Sequence, residues 1–262
     1  MTIIQGIVLG IIEGLTEFLP ISSTAHLIIA DKLLMVPASE FLKTFEISIQ
    51  LGAILAVVII YFKRVINNFN IVWKLLAAFI PTAIIGLILY KLVKDVLMEN
   101  LLIISIALIL GGAIIIIFEN WYIKKTKPEI TEDSDLNTIS YRQAITLGIV
   151  QSLAIVPGVS RAGATIVGGL SLGITRKKIV EFSFLLAIPT MLAATVLDIY
   201  KNPTTFNGDQ LIIWLFGFSA SFVTAIIGVK FLIKYIQKNN FKIFGWYRII
   251  LGLLIIAFLY FK

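Results

Sequence analysis

Residues 3–29 read IIQGIVLGIIEGLTEFLPISSTAHLII, and this stretch decides how the rest of the chain must fold. Its two ends are as apolar as a membrane helix, but its middle holds Glu13, Glu17, Pro20, Ser22, Ser23, Thr24 and His26. As one continuous span it would place charged groups in hydrocarbon, at roughly 2.5–3.5 kcal/mol for each. Broken backbone persists at membrane depth only where protein or a polar cavity surrounds it. The stretch is therefore predicted to form a re-entrant helix–loop–helix hairpin whose first helix ends at Pro20, since proline lacks the amide donor a helix needs.

A second stretch follows the same plan. Residues 143–173, QAITLGIVQSLAIVPGVSRAGATIVGGLSLG, carry Gln151, Pro157, Gly158, Ser160, Arg161 and Gly163 between apolar ends. Gln5, Gly10 and Glu13 align with Gln143, Gly148 and Gln151 at an offset of 138, and Pro20 and Ser23 align with Pro157 and Ser160 at 137. Downstream, the TAIIG of Thr82–Gly86 recurs as Thr224–Gly228. The chain is thus predicted to be an internal repeat.

Between and beyond the hairpins lie six uncharged runs, Ile47–Phe62, Leu75–Tyr90, Asn100–Phe118, Phe182–Leu197, Gln210–Val229 and Ile249–Phe261. With interfacial flanks each approaches the roughly 20 residues that cross a hydrocarbon core. The expected architecture is an all-α integral membrane protein with six transmembrane helices plus two re-entrant helix hairpins. It forms one membrane domain over 1–262, with repeat one at 1–119, repeat two at 141–262 and a cytoplasmic loop at 120–140. Three spans per half force the second copy to be inverted relative to the first, an arrangement that brings broken helices together near the midplane.

Composition agrees. Apolar residues make up 59% of the chain and charged ones 14%, against roughly a quarter charged in soluble domains; the mean hydropathy is +0.99. The first thirty residues have no basic start and no unbroken apolar core, so no cleavable signal is expected. The absence of cysteine excludes disulfides and thiolate chemistry. A net charge of +7 could suggest nucleic acid, but loop lysines explain it and no nucleic-acid partner is expected. Threading the spans alternately puts fifteen Lys and Arg on one face, Arg64, Lys74, Arg176, Lys178 and Arg248 among them, and six on the other. By the positive-inside rule both termini are expected outside, with hairpin one entering from the exterior and hairpin two from the cytoplasm.

The polar residues of the hairpins are the candidates for chemistry. Glu13 and Glu17, four apart, share one helix face and form a hard-oxygen pair suited to Mg²⁺ or Ca²⁺; the alternative is a structural carboxylate pair. Ser22, Ser23 and Thr24 follow Pro20 where a helix N-terminus offers free amides to a phosphate, or simply needs a cap. His26, the only histidine, is a candidate nucleophile or general acid–base. Arg161, the one basic residue within a hairpin, needs a partner: a glutamate or a phosphate, for which its fork is matched. Gly158 and Gly163 would let backbone amides approach the same anion, with Ser160 beside them. Gly6, Gly10 and Gly14 read as a helix-packing stripe. Glu46 and Gln50 are candidates to line the cavity, and Asp198 to lie at the interface. This inventory suits phosphoryl chemistry on a lipid head drawn between helices.

Glu13–His26, EGLTEFLPISSTAH, resembles the E-x-x-x-E-F-L-P-[VI]-S-S-T-x-H segment of the undecaprenyl-diphosphate phosphatases, the bacitracin-resistance family. Pro157–Ile166, PGVSRAGATI, resembles that family's P-G-x-S-R-S-G-A-T-I motif, and Lys43–Gly52 also fits. The resemblance covers essentially the whole chain. It implies a bacterial plasma-membrane enzyme, with its site open to the outer leaflet, that converts undecaprenyl diphosphate to the monophosphate carrier for peptidoglycan precursors. It implies Mg²⁺ or Ca²⁺ dependence, bacitracin competing for the lipid substrate, and Glu13, Glu17, Ser23, His26 and Arg161 as acting residues. Ala162 stands where the family usually has serine, so no hydroxyl acts there. Ser23, His26 or an activated water could attack the phosphorus, and a homodimer is left open. A polyprenyl-phosphate flippase or organic-anion transporter would use the same architecture and charges.

Overall fold

The computed structural model describes residues 1–92, 100–125, 135–201 and 207–261; the middle of the expected 120–140 loop lies outside them. Among the described residues all regular structure is helical. The helices are α1 (Ile3–Thr16), α2 (Ser23–Leu33), α3 (Glu40–Ile66), α4 (Phe69–Leu92), α5 (Leu101–Lys125), α6 (Tyr141–Gln151), α7 (Arg161–Ser171), α8 (Arg176–Lys201), α9 (Gly208–Ile236) and α10 (Lys242–Tyr260), with short 3₁₀ turns at Leu136–Thr138 and Ser152–Ile155.

Six of these, α3, α4, α5, α8, α9 and α10, are long and apolar enough to cross a membrane. The other four are not. The longest of them, α1, has 14 residues and at 1.5 Å per residue reaches about 21 Å, short of a hydrocarbon core of about 30 Å. Ile59, Ile88, Ile117, Phe231, Leu254 and many other large apolar side chains are exposed along the long helices. A water-soluble protein does not present so much contiguous apolar surface; a lipid-facing one does.

The short helices start and pack in matching ways. Thr2 and Gln5 form a capping box at the start of α1, and Ser140 and Gln143 form one at the start of α6. Gln5 Nε2 donates to the carbonyl of Leu34 at the end of α2 (2.9 Å), and Gln143 Nε2 to that of Leu172 at the end of α7 (3.2 Å). α1 lies along α9, and α6 lies along α4. The contacts are backbone-close because the facing residues lack side chains: a β-carbon on Gly10 would strike the carbonyl of Gly217, and one on Gly148 that of Ala78. The repeated TAIIG serves these seams, since Thr82 Oγ1 donates to Gly148 O (2.7 Å) and Thr224 Oγ1 reaches Ile11 O (3.4 Å).

One end of the bundle gathers the cationic helix ends. Arg64 Nη1 pairs with Glu181 (2.5 Å), Arg176 grips both oxygens of Glu119, Lys74 donates to the Asn137 carbonyl (2.7 Å) and Lys178 to Thr138 Oγ1 (2.9 Å). Lys74 and Lys178 are buried in these bonds rather than free in a loop. α8 runs through the centre, where Phe182, Phe184, Leu185 and Leu186 are fully buried and Phe184 meets Phe18 edge-on at 5.3 Å.

Two expectations need correction. The first helices do not run to the prolines: α1 ends at Thr16 and α6 at Gln151. Reversing direction takes several residues, and a residue preceding proline avoids helical backbone, so unwinding begins earlier. Arg248 is not on a face with the loop cations. It sits within α10 at 2% exposure, because the uncharged run from Ile249 is too short to span and the helix must begin near Lys242. Gly10→Ala and Gly148→Ala should each lower stability by about 1–3 kcal/mol through overpacking, read as a lower unfolding midpoint in detergent. Gly208→Ala, which meets nothing, should leave it unchanged.

Candidate active site

The turn after α1 and the turn before α7 face each other across a cavity of about 150 Å³. Its walls are Glu17, Ser22, Ser23 and Thr24 from the first, Ala154 and Val156–Arg161 from the second, and Gln50 and Met191 from α3 and α8. Residues more than 130 positions apart thus meet around one polar space.

The contact that joins the two turns is an ion pair. Arg161 Nη2 donates to Glu17 Oε1 at 3.0 Å while its Nη1 donates to the carbonyl of Ser183 on α8 at 2.7 Å. The guanidinium also lies 5.8 Å from the Phe18 ring centre, and its Nε is buried with no partner. The other oxygen of Glu17 accepts from Ser23 Oγ at 2.5 Å. One carboxylate therefore orients both the guanidinium and the hydroxyl. Ser22, N-cap of α2, has a positive φ of 72°, an uncommon backbone state for a residue with a side chain and a sign that the surroundings hold this turn in place.

The remaining candidates divide. Ser160 lines the cavity, and its hydroxyl caps α7 by accepting from the Gly163 amide (3.1 Å). That amide is thus already engaged, and Gly163 does not line the cavity. Gly158 does; its φ of 95° suits glycine, and a β-carbon there would lie 2.6 Å from the Ile104 carbonyl oxygen. His26 is not among the lining residues, but its Nδ1 is bonded to one of them. Its Nδ1 bonds the Ser22 carbonyl (2.7 Å) and its Nε2 the Tyr247 hydroxyl (2.7 Å), with the two rings stacked. A carbonyl only accepts, so Nδ1 carries a proton; in the neutral ring Nε2 then accepts from the tyrosine hydroxyl. Glu13 is fully buried and is not among the lining residues, and neither carboxylate oxygen has a hydrogen-bond partner.

Those orphaned oxygens bear on a metal. Among the described residues no three or more His, Asp or Glu side chains are arranged to hold an ion, so a closed all-protein cage is not built. A site of one or two carboxylates completed by substrate phosphates and water is the usual manner for Mg²⁺. Glu13, unpaired, and Glu17, one turn on, fit that description.

Beside the cavity, and sharing Thr24 and Gln50 with it, opens a groove of about 890 Å³ between α3, α4 and α8. Its walls are mainly apolar, including Leu27, Ile47, Phe79, Leu87, Ile155, Val196 and Leu197; Glu46 and Asp198 lie along it.

Residues 6–254 match the family model described as bacitracin resistance protein BacA. The chain belongs to the BacA family. Proteins named undecaprenyl-diphosphatase are similar to this BacA-family chain over its full length: that of Aquifex aeolicus is 49% identical over 261 residues, covering 100% of both chains. Those of Sulfurihydrogenibium and Persephonella marina are each 48% identical, covering 97% and 98% of this chain and 98% and 99% of their own.

Sequence reasoning missed four residues around this BacA-family site: Ser183, whose carbonyl holds Arg161; Met191, a wall of the cavity; Tyr247, which holds His26; and Arg248. The first holds Arg161 chiefly through its backbone carbonyl, with its hydroxyl a longer second acceptor at 3.5 Å, so residue type gives little signal. The last two were legible in principle, because a 13-residue run at Ile249–Phe261 had to be extended through them to span. A double-mutant cycle of Glu17→Gln and Arg161→Gln should return a coupling of about 1–3 kcal/mol, measured by unfolding in detergent. Additive effects would mean that the two side chains do not meet.

Proposed function

We propose that this protein is an undecaprenyl-diphosphate phosphatase of the bacterial plasma membrane, releasing inorganic phosphate to leave the monophosphate lipid carrier used in cell-wall synthesis. The observation that carries this is a hydroxyl, a carboxylate and a guanidinium converging on a cavity that opens beside an apolar groove. A diphosphate head fits the first and an isoprenoid tail the second. The names of the full-length relatives support it. Bacitracin, in sequestering the same lipid, would compete with the enzyme for substrate.

Ser23 is the best-placed nucleophile. Its Oγ attacks the terminal phosphorus, its proton passes to Glu17, the bond to the bridging oxygen breaks, and the lipid monophosphate departs. Glu17 passes that proton to the departing monophosphate and, ionised again, takes one from the water that attacks the phosphoserine; as the phosphorus–Oγ bond breaks it returns the proton to Ser23 Oγ, and the water oxygen leaves in the released phosphate. Arg161 swings part of its fork from Glu17 to the phosphoryl oxygens, where its orphan Nε is one further donor, and neutralises the charge that develops on transfer. The amides of the first turn of α2 add a positive dipole end. His26, with both nitrogens bound, holds the Ser22 turn rather than attacking. A divalent ion, Mg²⁺ or Ca²⁺, would be held by Glu13 and Glu17 and would screen the diphosphate charge.

The same reading assigns topology. α1 starts beside the N-terminal end of α9, with Gly6 against Ile213, whereas α6 starts at the opposite, cationic end, where Asn70 bonds Tyr141. The reciprocal packing of α1 on α9 and α6 on α4 supports two re-entrant hairpins in an inverted repeat, 1–119 and 141–262, within one membrane domain. The cationic end would face the cytoplasm, both termini the exterior, and the site would open outward.

Purified protein should release phosphate from farnesyl or undecaprenyl diphosphate in detergent, and a chelator should stop it. Arg161→Lys should lower kcat by about 10²–10³-fold, the loss typical of an oxyanion donor, and Ser23→Ala should abolish turnover. Lipid movement across vesicles with no phosphate release would favour a flippase or organic-anion transporter instead.

A further inference from the structure

We propose that Arg248 is a positioning residue for this reaction, one that fixes the separation of the two turns carrying Ser23 and Arg161. The inference rests on the phosphatase assignment above. Arg248 is buried at 2% exposure in α10, and all three of its nitrogens donate to backbone carbonyls. Nη1 reaches Pro20 O (3.2 Å), Nη2 reaches Gly158 O (2.9 Å) and Ala107 O (3.2 Å), and Nε reaches Leu108 O (3.4 Å). Pro20 lies three residues before Ser23, and Gly158 three before Arg161.

Both bridged carbonyls sit in turns that no helix ladder satisfies, one in each half of the chain. A single planar fork therefore spans the gap across which the diphosphate must fit. Among the described residues no carboxylate pairs with this guanidinium. Burying an uncompensated cation is expensive, and here it is offset by the dipoles of four backbone carbonyls, to which a bound diphosphate would add. Lysine offers a point charge with no fork, so it cannot hold both turns in the same geometry. The packing of α10 on α5 does not need Arg248, because Gly112, Gly245 and Gly252 already bring those helices into backbone contact. Gly111 is different: a β-carbon there would overlap Nη2 and lie 2.8 Å from Cζ, so alanine would displace the fork while keeping its charge.

The test compares Arg248→Lys, Gly111→Ala and Gly252→Ala by phosphate release from farnesyl diphosphate in detergent, alongside unfolding midpoints. Misplacing reacting groups by about 1 Å costs on the order of 10²-fold. Arg248→Lys and Gly111→Ala should therefore lose about that factor in kcat, with KM within about threefold of wild type because the lost contact is not to substrate. Gly252→Ala, which crowds Ile109 and the Ser105 carbonyl on the same helix pair, should keep its kcat even where its midpoint falls as far. Should Arg248→Lys fail to fold, Gly111→Ala still decides. Near-normal kcat in that variant, equal losses in Gly111→Ala and Gly252→Ala, or a rise in KM alone would overturn the proposal. A wild type that releases no phosphate removes the assignment and this inference together; an active wild type with indifferent variants removes this inference alone.

Discussion

Two opposite charges that belong to different halves of the chain, Arg161 and Glu17, meet inside a protein whose solvent is hydrocarbon. Either alone would be costly to bury, and neither helix pair carries its own neutralising partner within hydrogen-bonding reach. The pair therefore joins the turns before α2 and α7, and it aligns everything nearby. The free oxygen of Glu17 takes the Ser23 hydroxyl, and the free edge of Arg161 is anchored on the Ser183 carbonyl of the central helix. With both groups committed in this way, the space between them becomes a cavity with a fixed orientation of hydroxyl, carboxylate and guanidinium.

Much of this was legible before any coordinates. The broken apolar stretches 3–29 and 143–173 do form short helices with non-helical turns between them, and six long apolar helices follow from the uncharged runs. The rule that buried charge seeks a partner led from Arg161 to a glutamate on the other stretch, and Glu17 is that glutamate. Periodicity and the price of charge in lipid carry such conclusions because they constrain residue type directly.

What stayed hidden depends on backbone atoms or on tertiary direction. Nothing in the identity of Ser183 or Pro20 announces that its carbonyl will accept from an arginine. Nothing in the sequence around His26 says what its ring will touch. Its engagement by Tyr247 comes from α10, 221 residues away, which no local pattern reports. Arg248 was misplaced for a different reason: counting charges onto a face treats every cation at the edge of an apolar run as interfacial, whereas a helix that needs more length takes the next residues inward, charge included.

The two halves share a plan yet differ where chemistry is concentrated. Glu13 aligns with Gln151, and the glutamine is structural, its Nε2 donating to Thr82 and Thr190. The carboxylates are confined to the first half and the cavity's guanidinium to the second. Acids on both turns would repel each other across the cavity, and cations on both would leave the Ser23 hydroxyl with no carboxylate to accept from it. Opposite signs on the two turns let them attract each other across the cavity, with the acid also on the Ser23 hydroxyl and the guanidinium also on the Ser183 carbonyl.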